Sequence, residues 1–220
     1  MGIEFIAVSD YLKKVKKVAE KGAQLQISLY IWGEEGTGKH HLARYISYIS
    51  PVKPVIVEES QLGGLKLEKN RFIVAVGKTP FGRLPQRYFF DTDIYLAPLT
   101  EHREDIPFFV DHFITQARRE LKVDRAISLQ HPDISQNLHS LKRQIYQMLL
   151  APASLEELEE CSYNFFRFNP RYRWQELEQS FIRGILRGAK EVFKTKVQIS
   201  QQLKINRVTL TKKMKELLNG

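Results

Sequence analysis

Gly33-Glu34-Glu35-Gly36-Thr37-Gly38-Lys39-His40 separates an apolar run, Ser28-Leu29-Tyr30-Ile31-Trp32, from a helical pattern in which Leu42, Ala43, Ile46 and Ile49 share one face. Strand, glycine-rich turn, lysine and helix in that order make a phosphate-binding loop. The glycines let backbone N–H groups converge on an anion, Lys39 adds positive charge, and the helix that follows turns its N-terminus toward the same point. Gly33, Gly36, Thr37, Gly38, Lys39 and His40 are therefore the nucleotide-binding candidates. His40 stands where many such loops carry a Ser or Thr for magnesium.

Upstream of the loop, Ile3 to Val8 is largely apolar and Ser9-Asp10 caps a helix from Tyr11 to Lys21. Leu12, Val15 and Ala19 form its inner face, while Lys13, Lys14, Lys16 and Lys17 read as a solvated one. Downstream, Val55-Ile56-Val57, Phe72-Ile73-Val74-Ala75-Val76 and Ile94 to Leu96 are short apolar runs set among helices, the pattern of a parallel sheet covered on both faces. From Asp105-Ile106-Pro107 the period becomes helical, with Ile106, Phe109, Val110, Phe113 and Ala117 on one stripe. A second helix over Leu138 to Leu150 buries Leu141, Ile145, Met148 and Leu149. Then Ala151-Pro152-Ala153-Ser154 and the acidic Glu156 to Glu160 mark a change of composition. The aromatic residues that follow, Tyr163, Phe165, Phe166, Phe168, Tyr172 and Trp174, suggest a linker whose rings pack against a neighbour.

With 220 residues, 43% hydrophobic and 27% charged, the chain is long enough for one sizeable core and a small accessory domain. No eighteen apolar residues run together, and the N-terminus has neither a signal-peptide core nor a myristoylation pattern. A cytoplasmic protein with no membrane partner is expected. Cys161 stands alone, which excludes an internal disulfide, and the six histidines have no zinc spacing with it, so no metal beyond nucleotide-bound magnesium is expected.

The net charge of +9 points to a polyanionic partner, and its distribution says where. From Lys194 to Gly220 seven basic residues face Glu216 alone, which puts six of the nine net charges in the last 27 residues. Leu177, Phe181 and Ile185 predict one helix there, Lys194 to Leu203 a second, and Asn206 to Leu217 a third with Leu210, Met214 and Leu217 inward. The last two have the spacing of a helix-turn-helix. Double-stranded DNA is the expected partner, with Lys196, Gln198, Asn206, Arg207, Thr209, Lys212 and Lys213 as its contacts.

On these residues the chain resembles the bacterial enhancer-binding proteins, the NtrC-like AAA+ activators of sigma-54 polymerase, over nearly its whole length. Phe5-Ile6 through Ser9, Leu12 and Val15 is similar to that family's entry into its ATPase domain, and Gly33 to Lys39 to its G-E-x-G-T-G-K loop. Leu96-Ala97-Pro98-Leu99 and Glu101 to Pro107 resemble its L-P-P-L-R-x-R-x-E-D-I-P signature. Ile205 to Met214 is similar to its Fis-type DNA-binding helix. The resemblance implies an α/β fold: a reduced AAA+ P-loop subdomain with a parallel sheet at 1–100 and a helical lid subdomain at 101–150. A linker at 151–174 would lead to an all-α Fis-like helix-turn-helix domain at 175–220. It also implies ATP or ADP with Mg2+ as cofactor.

The departures from the family concern catalysis. No hydrophobic-Asp-Glu sequence exists, and Val57-Glu58-Glu59 follows Lys39 so soon that it reads as the end of an ordinary second strand, with a magnesium-holding role for Glu58 or Glu59 as the alternative. The sigma-54-contacting GAFTGA loop is absent, and only 33 residues, 39 to 71 inclusive, join the lysine to the next strand. Gly77-Lys78-Thr79-Pro80 lacks the sensor asparagine, Arg83 is displaced by one from the arginine-finger position, with Arg87 the other nearby arginine, and His139 occupies the lid's sensor position. Catalytic residues are left unassigned. The expected function is a DNA-binding transcriptional regulator, homodimeric because the ring-forming residues are missing, which uses nucleotide as a structural or regulatory ligand, or not at all, and hydrolyses little of it. An active ATPase remodelling a partner, and an antagonist that joins full-length activators, are the alternatives.

Overall fold

A computed structural model of the chain describes residues 2–64 and 71–218; Met1, 65–70 and 219–220 lie outside the described residues. The chain divides into two compact units, Met1–Ala151 and Pro152–Gly220.

The first unit is built on four parallel strands: β1 (Leu29–Gly33), β2 (Val55–Glu58), β3 (Ile73–Gly77) and β4 (Thr92–Leu96). Their order across the sheet is β2-β3-β1-β4. All pairings are parallel, with Leu29 opposite Val74 on one side and Thr92 on the other. Side chains alternate between the two faces of a strand, and the burial follows that alternation. Leu29, Ile31, Val74, Val76, Ile94 and Leu96 enter one core with residues of α1 (Asp10–Leu25), α2 (Lys39–Ile49), α3 (Ile106–Leu121) and α4 (Leu138–Leu150). Tyr30, Val57, Ile73 and Ala75 enter the other, where Leu62, Leu84 and Phe90 cover them. The expected covering of both faces is present, but short 3-10 turns at Phe81–Arg83 and Arg87–Phe89 stand on the second face in place of helices.

Local chemistry sets the helix ends. The Ser9 hydroxyl accepts from the Leu12 N–H at 3.0 Å and starts α1. Pro107 sits in the first turn of α3, where its missing N–H costs nothing. The signature at 96–107 is a clasp. Asp105, fully buried, accepts from the N–H groups of Val8 and Ser9 at 3.1 and 2.7 Å, while its other oxygen lies 3.0 Å from His102 Nδ1. It fastens the N-terminal segment beside the start of α3.

The second unit contains α5 (Leu155–Phe168), α6 (Trp174–Val192), α7 (Lys196–Gln202) and α8 (Arg207–Leu218). Leu186, Ala189, Ile199, Leu210 and Met214 form its core. The expectation for 151–174 is corrected in two respects. Most of that segment is a 14-residue helix, started by the Ser154 hydroxyl accepting from the Glu157 N–H, and its rings are not packed away. Phe168 is 75% exposed and Trp174 77%. Good helix formers at Leu155 to Glu160 and a Ser cap outweigh the change of composition that suggested a linker.

Candidate functional site

β1 ends at Gly33 and α2 begins at Lys39, so residues 33–38 make the whole connection. Gly36 has φ +78°, and a Cβ there would overlap the Gln136 carbonyl; one on Gly33 would overlap the Leu96 carbonyl. Glycine is thus demanded by backbone conformation and by close approach together. Among the described residues no side chain caps the N-terminus of α2, which leaves its first-turn N–H groups open to an anion. Lys39 is 6% exposed, and its ammonium donates to the carbonyls of Gly33, at 2.8 Å, and Glu34. Burial pushes its pKa below the usual lysine value, and the nearby Lys78 ammonium adds to the effect.

Several charged groups around this loop are paired. Lys78, just after β3, donates to Glu35 of the loop at 2.8 Å. His40 Nε2 lies 2.6 Å from Glu58 Oε1, the distance of an imidazole N–H donating to a carboxylate. Glu59 accepts from the backbone N–H groups of Lys78 and Thr79, from the Thr79 hydroxyl and from Tyr30 Oη. Burial opposes its ionisation, but these donors outweigh burial and hold its carboxyl below the usual range. Val57-Glu58-Glu59 therefore does not end a strand remote from the loop. Glu58 closes the second strand, β2, and although β3 stands between β2 and β1 its side chain reaches the first residue after Lys39.

From the lid side, buried Asn137 stitches the loop in place. Its Oδ1 accepts from the Leu99 N–H at 2.8 Å, its Nδ2 donates to the Glu35 carbonyl at 2.8 Å, and the next N–H, of Leu138, reaches the Gly36 carbonyl at 3.1 Å. Its φ of +54° is a conformation that asparagine tolerates better than most residues. His139 follows, exposed and close enough to Glu35 to help lower that carboxyl's pKa, behind the larger effect of Lys78.

The loop, α3, the start of α4 and the N-terminal segment border a cavity of about 950 Å3, with Phe5, Ile6 and Leu138 among its apolar walls and Lys39, His40 and His139 among its polar ones. That volume lies in the range of small-molecule sites, and a loop of open N–H groups with a lysine suits phosphates. Magnesium fits less well. It demands oxygen ligands in near-octahedral geometry, whereas the residue after Lys39 offers imidazole nitrogen and the carboxylate nearest to it is already hydrogen-bonded to that ring. Among the described residues no group of three His, Cys, Asp or Glu side chains is placed to hold a metal ion.

The second candidate site is α8 with the turn before it. Asn206 Oδ1 accepts from the Val208 N–H at 2.7 Å, and Lys204 takes a left-handed φ of +51° in the turn. Leu210 and Met214 are buried, so the opposite face carries Val208, Lys212 and Lys215, all exposed, while Arg207 and Thr211 are exposed along its flank. Thr209 is exposed as well and Lys213 half-buried. On α7 Lys196 is exposed, while the Gln198 side-chain oxygen is occupied by the Thr195 N–H, in a capping box that Thr195 Oγ1 completes by accepting from the Gln198 N–H.

Residues 5–62 match the family model of the sigma-54 interaction domain. Among solved structures, the chain is similar to NtrX from Brucella abortus in complex with ATP, at 15% identity and a TM-score of 0.51 over 97% of this chain and 69% of that one. It is similar also to NtrX in complex with ADP, at 14% identity and 0.52 over 99% and 69%. These likenesses establish an NtrX-like mixed α/β fold with a four-stranded parallel sheet. No curated protein matches the chain in sequence.

All six loop candidates and His139 come together at the loop. Sequence reasoning assigned no role to Asn137, Lys78 or Val208. Asn137 was findable as an asparagine just before a helix; Lys78 was not, because only the strand order brings the end of β3 to the loop.

Proposed function

We propose that the chain is a DNA-binding transcriptional regulator related to the sigma-54-dependent activators. It acts as a homodimer, holds ATP or ADP in loop 33–38 and hydrolyses little of it, and does not remodel sigma-54 directly. One observation carries this reading: a helix capped by Asn206 presents Arg207, Thr211, Lys212 and Lys215 to solvent, with exposed Val208 among them. Arg207 near its N-terminus suits a guanine edge, the Val208 methyls suit a thymine methyl, and the lysines suit phosphates. The fold supports reading α7 and α8 as a Fis-type helix-turn-helix. The exposed apolar residues Phe181, Ile185 and Val192 of α6 supply a surface for a second copy.

Low turnover follows from the pairing around the loop. A water-activating carboxylate needs a free oxygen, and both Glu59 oxygens already accept hydrogen bonds. Arg87 donates to the Gly82 carbonyl of the neighbouring 3-10 turn. Ground-state binding and catalysis draw on different contacts, so a nucleotide is held even where hydrolysis is slow.

The test is anisotropy of a labelled duplex titrated with the full chain at increasing salt. Affinity that falls steeply with salt is expected; no binding at low salt would overturn the proposal. One observation favours the runner-up, an ATPase acting on a partner: Glu58 lies beside the loop. Nucleotide turnover that vanishes in Lys39→Ala would make that reading the better one.

A further inference from the structure

We propose that loop 33–38 binds its nucleotide without magnesium, with Lys39 and Lys78 supplying the countercharge and donors that the ion would otherwise provide and His40 engaging the one carboxylate beside them. This rests on the nucleotide reading above. His40 is the misfit in a magnesium site. A Ser or Thr hydroxyl after the lysine is an oxygen ligand for Mg2+; an imidazole is not a ligand that this hard ion prefers. The carboxylate across from it, Glu58, is in turn engaged with that same ring at 2.6 Å.

The loop nevertheless holds extra positive charge. Lys78 leaves the end of β3 and reaches Glu35, a loop residue, at 2.8 Å, and it is near enough to Lys39 to influence that ammonium. Its side chain is 70% exposed, on a flexible stem with three donors. It is thus free to move from an exposed carboxylate to a phosphate when a nucleotide enters. Lys39 does the same in leaving the Gly33 and Glu34 carbonyls, which bind it only as neutral acceptors. A carboxylate facing phosphates with no metal between them would repel them. The His40 N–H answers part of the Glu58 charge and removes that obstacle. Lys39 at the first turn of α2, Lys78 reaching in from the end of β3, and a Glu58 carboxylate already engaged by His40 therefore suit a free nucleoside diphosphate or triphosphate better than its magnesium complex.

Calorimetric titration of the full-length protein with ADP, once in EDTA and once in excess Mg2+, tests this. The dissociation constant in EDTA is expected to lie within about threefold of that in Mg2+, a difference of about 0.65 kcal/mol, or below it. Lys78→Gln is expected to weaken binding in EDTA by about tenfold, with far-UV circular dichroism unchanged because the side chain is exposed. His40→Ser, which restores an oxygen ligand, is expected to make binding tighter with Mg2+ than without it. Binding by the wild type that requires Mg2+ would overturn the proposal and leave the nucleotide reading standing. No binding in either condition would overturn both.

Discussion

Loop 33–38 and helix α8 are both rich in charge, and they treat it in opposite ways. At the loop several charged side chains are tied within the first unit: Lys39 to the loop's own carbonyls, Glu35 to Lys78, His40 to Glu58, and Glu59 to four donors from three residues. On α8, Arg207, Lys212 and Lys215 are exposed, and among the described residues they take part in no ion pair. Paired charges hold a shape, whereas unpaired ones on a packed helix hold a place for a partner. If the α8 face serves the DNA binding proposed above, substitutions at the loop should register first in stability and those on α8 first in binding.

The largest effect is expected from forcing a side chain into the loop. Gly36→Val places a Cβ against the Gln136 carbonyl in a left-handed conformation and should lower the stability of the first unit by about 3 kcal/mol, measured by denaturant unfolding. Unchanged stability would show that the lid backbone at Gln136 gives way easily. Next, Asn137→Ala leaves the Leu99 N–H without its acceptor, at a cost of about 2 kcal/mol in the same assay.

Arg207→Ala sharpens the contrast. Its exposed side chain should leave stability within about 0.5 kcal/mol, yet DNA affinity should fall about tenfold, a loss of the size expected for a base-contacting arginine. If instead the protein is destabilised and DNA affinity is unaltered, the two regions are not different in kind.

A smaller effect depends on pH. The folded-state pKa of Glu59 is depressed because hydrogen bonds to its carboxylate outweigh burial. Its stabilisation is therefore complete above the ordinary carboxylate range and is lost as pH falls through the depressed value. Melting temperatures of wild type and Glu59→Gln should differ by a constant amount near neutrality and converge in acid; a gap that widened on acidification would contradict the assignment. The smallest change is expected from Phe168→Ser, since this ring is 75% exposed. Thermal melting should be unaltered, and a marked fall would restore the packed-aromatic reading of 151–174.

Much of the first unit was legible from periodicity. The apolar runs at 29–32, 55–57, 72–76 and 94–96 all became strands, and the helix over Leu138 to Leu150 has those ends in the structure. What stayed hidden was strand order, because a short apolar run says that a strand is buried and not which neighbour it takes. For that reason Glu58 looked too early in the chain to meet the loop, and Lys78 drew no attention. The helix α5 was missed for a different reason: an aromatic-rich stretch was expected to be packed, while apolar side chains at a surface are common. At α8 the inward positions Leu210 and Met214 followed from helical spacing, and the exposed face followed from theirs.

The division of labour is tested most directly by the salt dependence of DNA binding in three proteins: wild type, Lys39→Ala, and the triple variant Arg207→Ala, Lys212→Ala, Lys213→Ala. A plot of log affinity against log salt should have the same slope for wild type and Lys39→Ala. For the triple variant it should be shallower by about 1.8, roughly 0.9 for each of the two phosphates that Lys212 and Lys213 no longer neutralise. Equal slopes for wild type and the triple variant, or a slope altered by Lys39→Ala, would contradict it.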